Sequence, residues 1–107
     1  PESQCPDKTD YTIPQEHENG LKHTVGALAA AHAGVNTDGS QFYIVPSDGS
    51  AGHLDWEAGK DCSRESCHTV YGYVTDGQNH VDAISKVESN SNRPVDPVRI
   101  LSASVIN

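Results

Sequence analysis

Apolar and polar positions alternate in several short stretches and recur at every third position in another. Residues 41–45 (QFYIV) and 69–75 (TVYGYVT) are rich in aromatic and β-branched side chains, and each predicts a β-strand. Residues 98–105 (VRILSASV) alternate apolar and polar and predict a closing strand. Val81, Ile84 and Val87 give residues 78–87 one apolar face, the pattern of an amphipathic helix. Residues 23–33 are ambiguous. Their alanines favour helix, but Gly26, Gly34 and the β-branched Thr24 and Val25 oppose it, so a short strand over 25–30 is expected, with helix as the alternative. Small side chains there make a flat floor that another chain can approach. Residues 11–14 (YTIP) predict an edge strand, because Pro14 cannot donate to a ladder. Turns are expected at residues 36–39 and at Asp76-Gly77, with Asp76 capping the helix that follows. Pro46 ends its strand, and residues 47–67 read as one long loop, a length usually tied to function or motion. Residues 1–10 form a polar tail, 90–97 a loop, and 11–107 the domain. The expectation is a mostly β domain with one helix and no internal repeat.

Composition narrows this picture. The chain has 107 residues, enough for one domain. Leu, Ile, Val and Phe number 20, about 19%, close to the border below which a charged chain stays disordered. A core this lean suggests that part of it is supplied from elsewhere. The net charge of −8, with four Lys and three Arg, argues against nucleic acid as a partner, because phosphates call for clustered cations. The longest small apolar run, residues 25–31, is far short of the ~20 residues of a membrane helix. No signal peptide is visible and residue 1 is Pro, which reads as a trimmed, soluble piece with no membrane partner.

Cysteine usage leaves three readings open. Cys5, Cys62 and Cys67 permit at most one disulfide and one leftover thiol. Cys62 and Cys67 are ordinary surface thiols, a disulfide, or two ligands of a zinc site. A disulfide over so short a ring is worth ~2 kcal/mol at best. A zinc site would add His68 and a fourth ligand such as His53 or Cys5, but C-x4-C-H is not a standard structural spacing.

The order of several motifs carries more information. Tyr-Thr-Ile-Pro-x-Glu begins at Tyr11, and Leu-Lys-His-Thr-x-Gly-Ala-Leu at Leu21. Ala-Gly-x-Asn-Thr-x-Gly-Ser-Gln-Phe-Tyr-Ile runs from Ala33 to Ile44. His-Leu-Asp at His53, His-Thr-Val-Tyr-Gly-Tyr-Val at His68 and Gly-x-x-x-Val-Asp-x-Ile at Gly77 complete the series. This series resembles the C-terminal two thirds of a cyclophilin, the peptidyl-prolyl cis-trans isomerase family. The resemblance spans residues 11–105, and N-T-x-G-S-Q-F is its most specific block.

The resemblance implies a closed antiparallel eight-stranded β-barrel capped by helices, with a substrate groove on its surface. It implies a proline pocket formed by Tyr43, where the family usually has Phe, with Leu54 and His68. Ala31, His32 and Ala33 match the Ala-Asn-Ala floor that pairs with substrate backbone, with imidazole replacing the usual amide. Gln41 matches the glutamine of the hydrogen-bond network beside the substrate, so Gln41 and His68 are the candidate catalytic side chains. His53 stands where many members have Trp, which weakens the expected binding of cyclosporin-type inhibitors. The implied partners are proline-containing polypeptides, and no cofactor is implied.

Rotation about an X-Pro bond makes and breaks no covalent bond. Its ~18–20 kcal/mol barrier is the resonance lost on twisting, and it relaxes unaided in tens to hundreds of seconds. A catalyst needs only to bind the twisted amide better than either planar form. In the family an arginine near the proline nitrogen assists, from an early Phe-His-Arg segment that this chain does not match. The Met-x-Gln-Gly-Gly-Asp segment is also missing. The thin core and the missing motifs together suggest one fragment of a nicked or split cyclophilin, completed by an N-terminal segment. A further departure is an insertion, residues 56–67, between Leu-Asp and His68. It reads either as a tolerated surface loop or as a redox- or metal-sensitive flap. Two rival functions follow: a proline-peptide-binding module without turnover, and a small metal- or redox-responsive domain built on Cys62 and Cys67. An acyl-transfer enzyme is not indicated, because no nucleophile elbow is present.

Overall fold

The alanine-rich stretch is the centre of the sheet. In the computed structural model, which describes residues 12–106, strand β1 (Ala27–Ala30) pairs antiparallel with β2 (Phe42–Ile44) on one side and β3 (Val70–Tyr73) on the other. Leu28 faces Ile44 across one ladder and Gly72 across the other, with a bulge between Leu28 and Ala29. Helix propensity loses here because pairing on both edges satisfies the backbone of β1. Its short side chains then let neighbours pack close. Ala27, Ala29, Val45 and Val70 form the buried core, with Tyr43 and Ala51 packed against it.

Gly26 fixes the entry to β1. Its φ of 83° lies in the left-handed region, and a Cβ there would sit 3.0 Å from Gln78 Oε1. Its N–H donates to Val45 at 2.8 Å and its carbonyl accepts from Val74 at 2.9 Å, extending both ladders by a residue. Helix α1 (Gln78–Ser85) then docks through polar ties: Ser47 donates from N and Oγ to the Asp82 carboxylate at 2.8 and 2.7 Å. Asp76 does not cap this helix. The N-cap is Gly77, with φ 89° and no side-chain cap bond.

Three further expectations are corrected. Of the expected 11–14 edge strand, residues 12–14 form no strand. Among the described residues only Ile13 makes a single bridge, to Asp38, and Tyr11 lies outside them, as do the 1–10 tail and Cys5. Residues 98–105 form no strand either, and Leu101 is 94% exposed. An alternating pattern makes a strand only when a neighbouring edge is there to receive it, and none lies alongside among the described residues. A small hairpin forms just before it, β4 (Ser89–Asn90) against β5 (Arg93–Pro94), with Ser91 and Asn92 both at positive φ. The closed barrel is therefore not seen among the described residues: they hold a three-stranded and a two-stranded sheet with one α-helix.

Candidate functional site: a histidine-lined cleft

The residues before β3 and those on either side of β1 bring three imidazoles together, His68, His23 and His32. His68 precedes β3. Its backbone N–H donates to Leu54 O at 3.0 Å, and its Nδ1 donates to Ala30 O at 2.9 Å. His68 is thus held at both ends, and its ring stacks on His32 at 3.8 Å between centroids and 11° between planes. Tyr43 meets the same ring edge-on at 5.7 Å. His32 has one arrangement that satisfies its neighbours: Gly34 N–H donates to Nδ1 at 3.0 Å, so Nε2 carries the hydrogen and donates to Cys67 O at 2.8 Å.

Desolvation on burial pushes the His68 pKa below the ordinary value of 6.5, and the nearby His32 and His23 act the same way against the opposing bond to Ala30. The uncharged ring is therefore favoured. This imidazole, flanked by a phenol and a second imidazole, makes an aromatic wall.

The other predicted residues fall in two groups. Ala31 donates its N–H to Gln41 O at 3.0 Å, and both border a cleft of about 300 Å³ with His32, Ala33 and Ser40. The Gln41 side chain is exposed there. Leu54 ends a short 3-10 turn (Gly52–Leu54) and is half-buried. His53, on the same turn, is exposed and faces a different cleft, shared with Asp55, Lys60 and Glu65. Thus His68, Tyr43, His32 and Leu54 are tied directly, Ala31 and Gln41 adjoin them, and His53 stands apart.

The insertion is folded over the site. Cys62 and Cys67 are joined in a disulfide, and Cys67 is buried. The Lys60 ammonium donates to the carbonyls of His53, Asp55 and Ser66 at 2.8, 2.6 and 2.7 Å. Gln15 donates its amide to the Cys67 carbonyl. Arg64 and Cys62 share a cleft of about 310 Å³ with His32 and His68. The zinc reading does not fit this arrangement. Both sulfurs are bonded to each other, and no group of three or more His, Cys, Asp or Glu among the described residues is placed to hold a metal.

Two residues escaped the sequence reading. His23 is buried, receives the Tyr43 hydroxyl at its Nε2 at 2.8 Å, and faces Asp55 Oδ1 through Nδ1 at 2.8 Å. Asp55 Oδ1 also accepts the His23 backbone N–H at 2.7 Å. Burial raises the Asp55 pKa, but the side-chain and backbone bonds from His23 outweigh it and the carboxyl ends below its ordinary value. Tyr43 is pushed up to about 12 by burial and by the charges of Asp55 and Asp38. Both residues lie inside quoted motifs, Leu-Lys-His-Thr and His-Leu-Asp. A polar side chain amid a largely apolar or small-residue block was the only signal.

Similarity to known proteins decides the family. The profile described as cyclophilin type peptidyl-prolyl cis-trans isomerase/CLD matches residues 1–105. The chain belongs to the cyclophilin family. Among related cyclophilins, the Dictyostelium discoideum peptidyl-prolyl cis-trans isomerase cypE is 36% identical over 85 residues, covering 78% of this chain and 47% of that protein. Peptidyl-prolyl cis-trans isomerase-like 1 from Aspergillus fumigatus is 39% identical over 89 residues, 81% of this chain and 48% of its own length. The mouse protein of that name is 41% identical over 85 residues, 78% and 44%. The chain spans about half the length of the curated relatives it matches. Among the described residues no helix is long and apolar enough to cross a membrane.

Proposed function

We propose that this cyclophilin accelerates cis–trans rotation about X-Pro bonds in polypeptides. The observation that supports it is the shared wall of Tyr43, His68 and His32, held rigid by the backbone ties of His68 to Leu54 and Ala30. The wall offers a pyrrolidine ring aromatic contact. Ala31, His32 and Ala33 border the groove in which the flanking peptide backbone pairs, with Gln41 beside them. No bond to the reacting amide is needed. Preferential binding of the twisted form by ~1.4 kcal/mol already gives tenfold in rate.

The remaining contribution comes from outside this chain. We assign the arginine donor and a covering for the exposed apolar side chains of Phe42 and Ile84, and for Leu101, to a complementary N-terminal segment. Cyclosporin-type inhibitors bind weakly, because His53 points away from the Tyr43–His68 wall into another cleft. The test is two-dimensional NMR exchange spectroscopy on a proline-containing tetrapeptide, with the complete protein and with this chain alone. The expected result is fast exchange with the complete protein and binding with slower exchange for the chain alone. No acceleration by the complete protein overturns the proposal, and peptide binding without it identifies a non-catalytic binding module.

A further inference from the structure

On the prolyl-isomerase reading, the wall that meets the pyrrolidine includes Tyr43, edge-on to His68 at 5.7 Å, and a phenol brings a polar tip to a surface that has to stay apolar. We propose that His23 and Asp55 are positioning residues that draw the Tyr43 hydroxyl out of the niche and so set its specificity for an apolar ring. This rests on the prolyl-isomerase reading above and assigns roles to two residues that reading does not use.

The hydrogen-bond accounting leads to this arrangement. Asp55 Oδ1 is an acceptor only, and it lies 2.8 Å from His23 Nδ1, so Nδ1 carries the hydrogen. The same oxygen takes the His23 backbone N–H at 2.7 Å, which fixes the imidazole by two bonds to one atom. The neutral ring then has a lone pair at Nε2 and no hydrogen there. The Tyr43 oxygen is 2.8 Å from Nε2, so the phenol donates and the imidazole accepts. His23 and Tyr43 stack nearly parallel, 12° apart, while His68 stands edge-on to both. The His23 side chain is fully buried and that of Asp55 is 15% exposed, so water does not compete for these bonds. The raised Tyr43 pKa agrees with a phenol whose proton is retained beside a carboxylate. The niche therefore meets the substrate with carbon, and the oxygen faces inward.

Loss of His23 frees the hydroxyl to turn toward the niche. A pyrrolidine cannot pair with it, so the incoming ring strips water from an unsatisfied group. That penalty falls equally on bound substrate and transition state, which raises KM and leaves kcat nearly unchanged. Removing the hydroxyl as well removes the penalty.

The experiment measures kcat, KM and peptide Kd by NMR on the complete protein with a proline-containing tetrapeptide. For His23→Leu, KM and Kd are expected to rise about tenfold with kcat within about twofold, the scale of one orphaned buried polar group. Adding Tyr43→Phe to His23→Leu is expected to bring both back to within about threefold of the unaltered protein. A purely structural role for His23 predicts no rescue, since the second change removes a further bond. An unchanged KM in the single variant, or a double variant no better than it, overturns the proposal. Nitrogen-15 NMR of the unaltered protein provides a reading that needs no variant: His23 is expected with its hydrogen on Nδ1, and a hydrogen on Nε2 in the neutral ring overturns the proposal. If the unaltered protein binds the peptide without turning it over, the isomerase reading fails while the Kd pattern and the tautomer still decide this one.

Discussion

Strand β2 serves two faces, and its neighbours treat them differently. Tyr43 points to the side where His23, Asp55, His68 and His32 satisfy one another through bonds of 2.7–2.9 Å and close ring contacts. Phe42 and Ile44 alternate to the other side, where a cleft of about 380 Å³ is bordered by them with Pro46, Val81 and Ile84, and Tyr43 also reaches its edge. Phe42 remains 52% exposed, and the apolar side chains of Ile100, Leu101 and Ile106 further along the chain stand even further in solvent. On the first side, a few short-range ties between rings and carbonyls suffice to fix the side chains, and this chain supplies them. A hydrophobic core needs closely packed opposed surfaces, and on the second face the facing side chains stay apart, with Phe42 52% and Ile84 47% exposed. The site and the core are thus separable demands on the same three strands.

The largest expected effect comes from placing a charge on each side. Val70→Asp buries a carboxylate beside Ala27 and Ala29 and is expected to cost about 4 kcal/mol or more, read as loss of the cooperative urea transition. Leu101→Asp in the chain alone is expected to stay within about 0.5 kcal/mol, because the side chain is already in water. In the complete protein the same substitution is expected to become strongly destabilising. Equal, small effects in both settings would leave the apolar face without a covering segment.

Reducing Cys62–Cys67 acts on the insertion alone. The ring spans only residues 62–67, so the expected loss is about 2 kcal/mol, measured as a shift of the urea midpoint with and without reductant. The sheet behind it is expected to keep its amide protection. Substituting the cleft wall separates activity from stability. His68→Ala is expected to lower kcat/KM at least tenfold, about 1.4 kcal/mol of transition-state binding, and His53→Ala to change it less than about twofold. A larger effect from His53 would move the peptide groove to the other cleft.

The smallest effect is a pH dependence. The folded His68 pKa lies below the unfolded value of 6.5, so the folded state takes up its proton less readily. The associated stability is complete above pH 6.5 and is lost as pH falls through the folded value. Tyr43 works in the opposite direction: its contribution is complete below pH 10 and disappears as pH rises toward about 12. Histidine and tyrosine NMR titrations, compared with thermal unfolding from pH 5 to pH 11, check both signs.

What could be read from the sequence follows the same division. Strands over 41–45 and 69–75 and the helix at residue 78 were legible because their side chains carry the signal locally, and each appears slightly shortened. The alternating 98–105 segment misled because a strand is a pairing, and pattern alone does not supply the partner. The β4–β5 hairpin had a local cue: Ser91 and Asn92 both adopt the positive φ that two-residue turns require, and Asn is suited to it. In the cleft, His68 and Tyr43 were legible through motif order. His23 and Asp55 were not, because their bond joins positions 32 residues apart and neither residue is unusual by itself.

Lys60 has a consequence for how the insertion can change. All three of its ammonium hydrogens are committed to main-chain oxygens at His53, Asp55 and Ser66. Main-chain oxygens are present whatever side chains the intervening positions carry. The Lys60 clasp therefore does not depend on which side chains the outward positions of the insertion carry, and exposed residues such as Arg64 and Glu65 can vary without loss of these bonds.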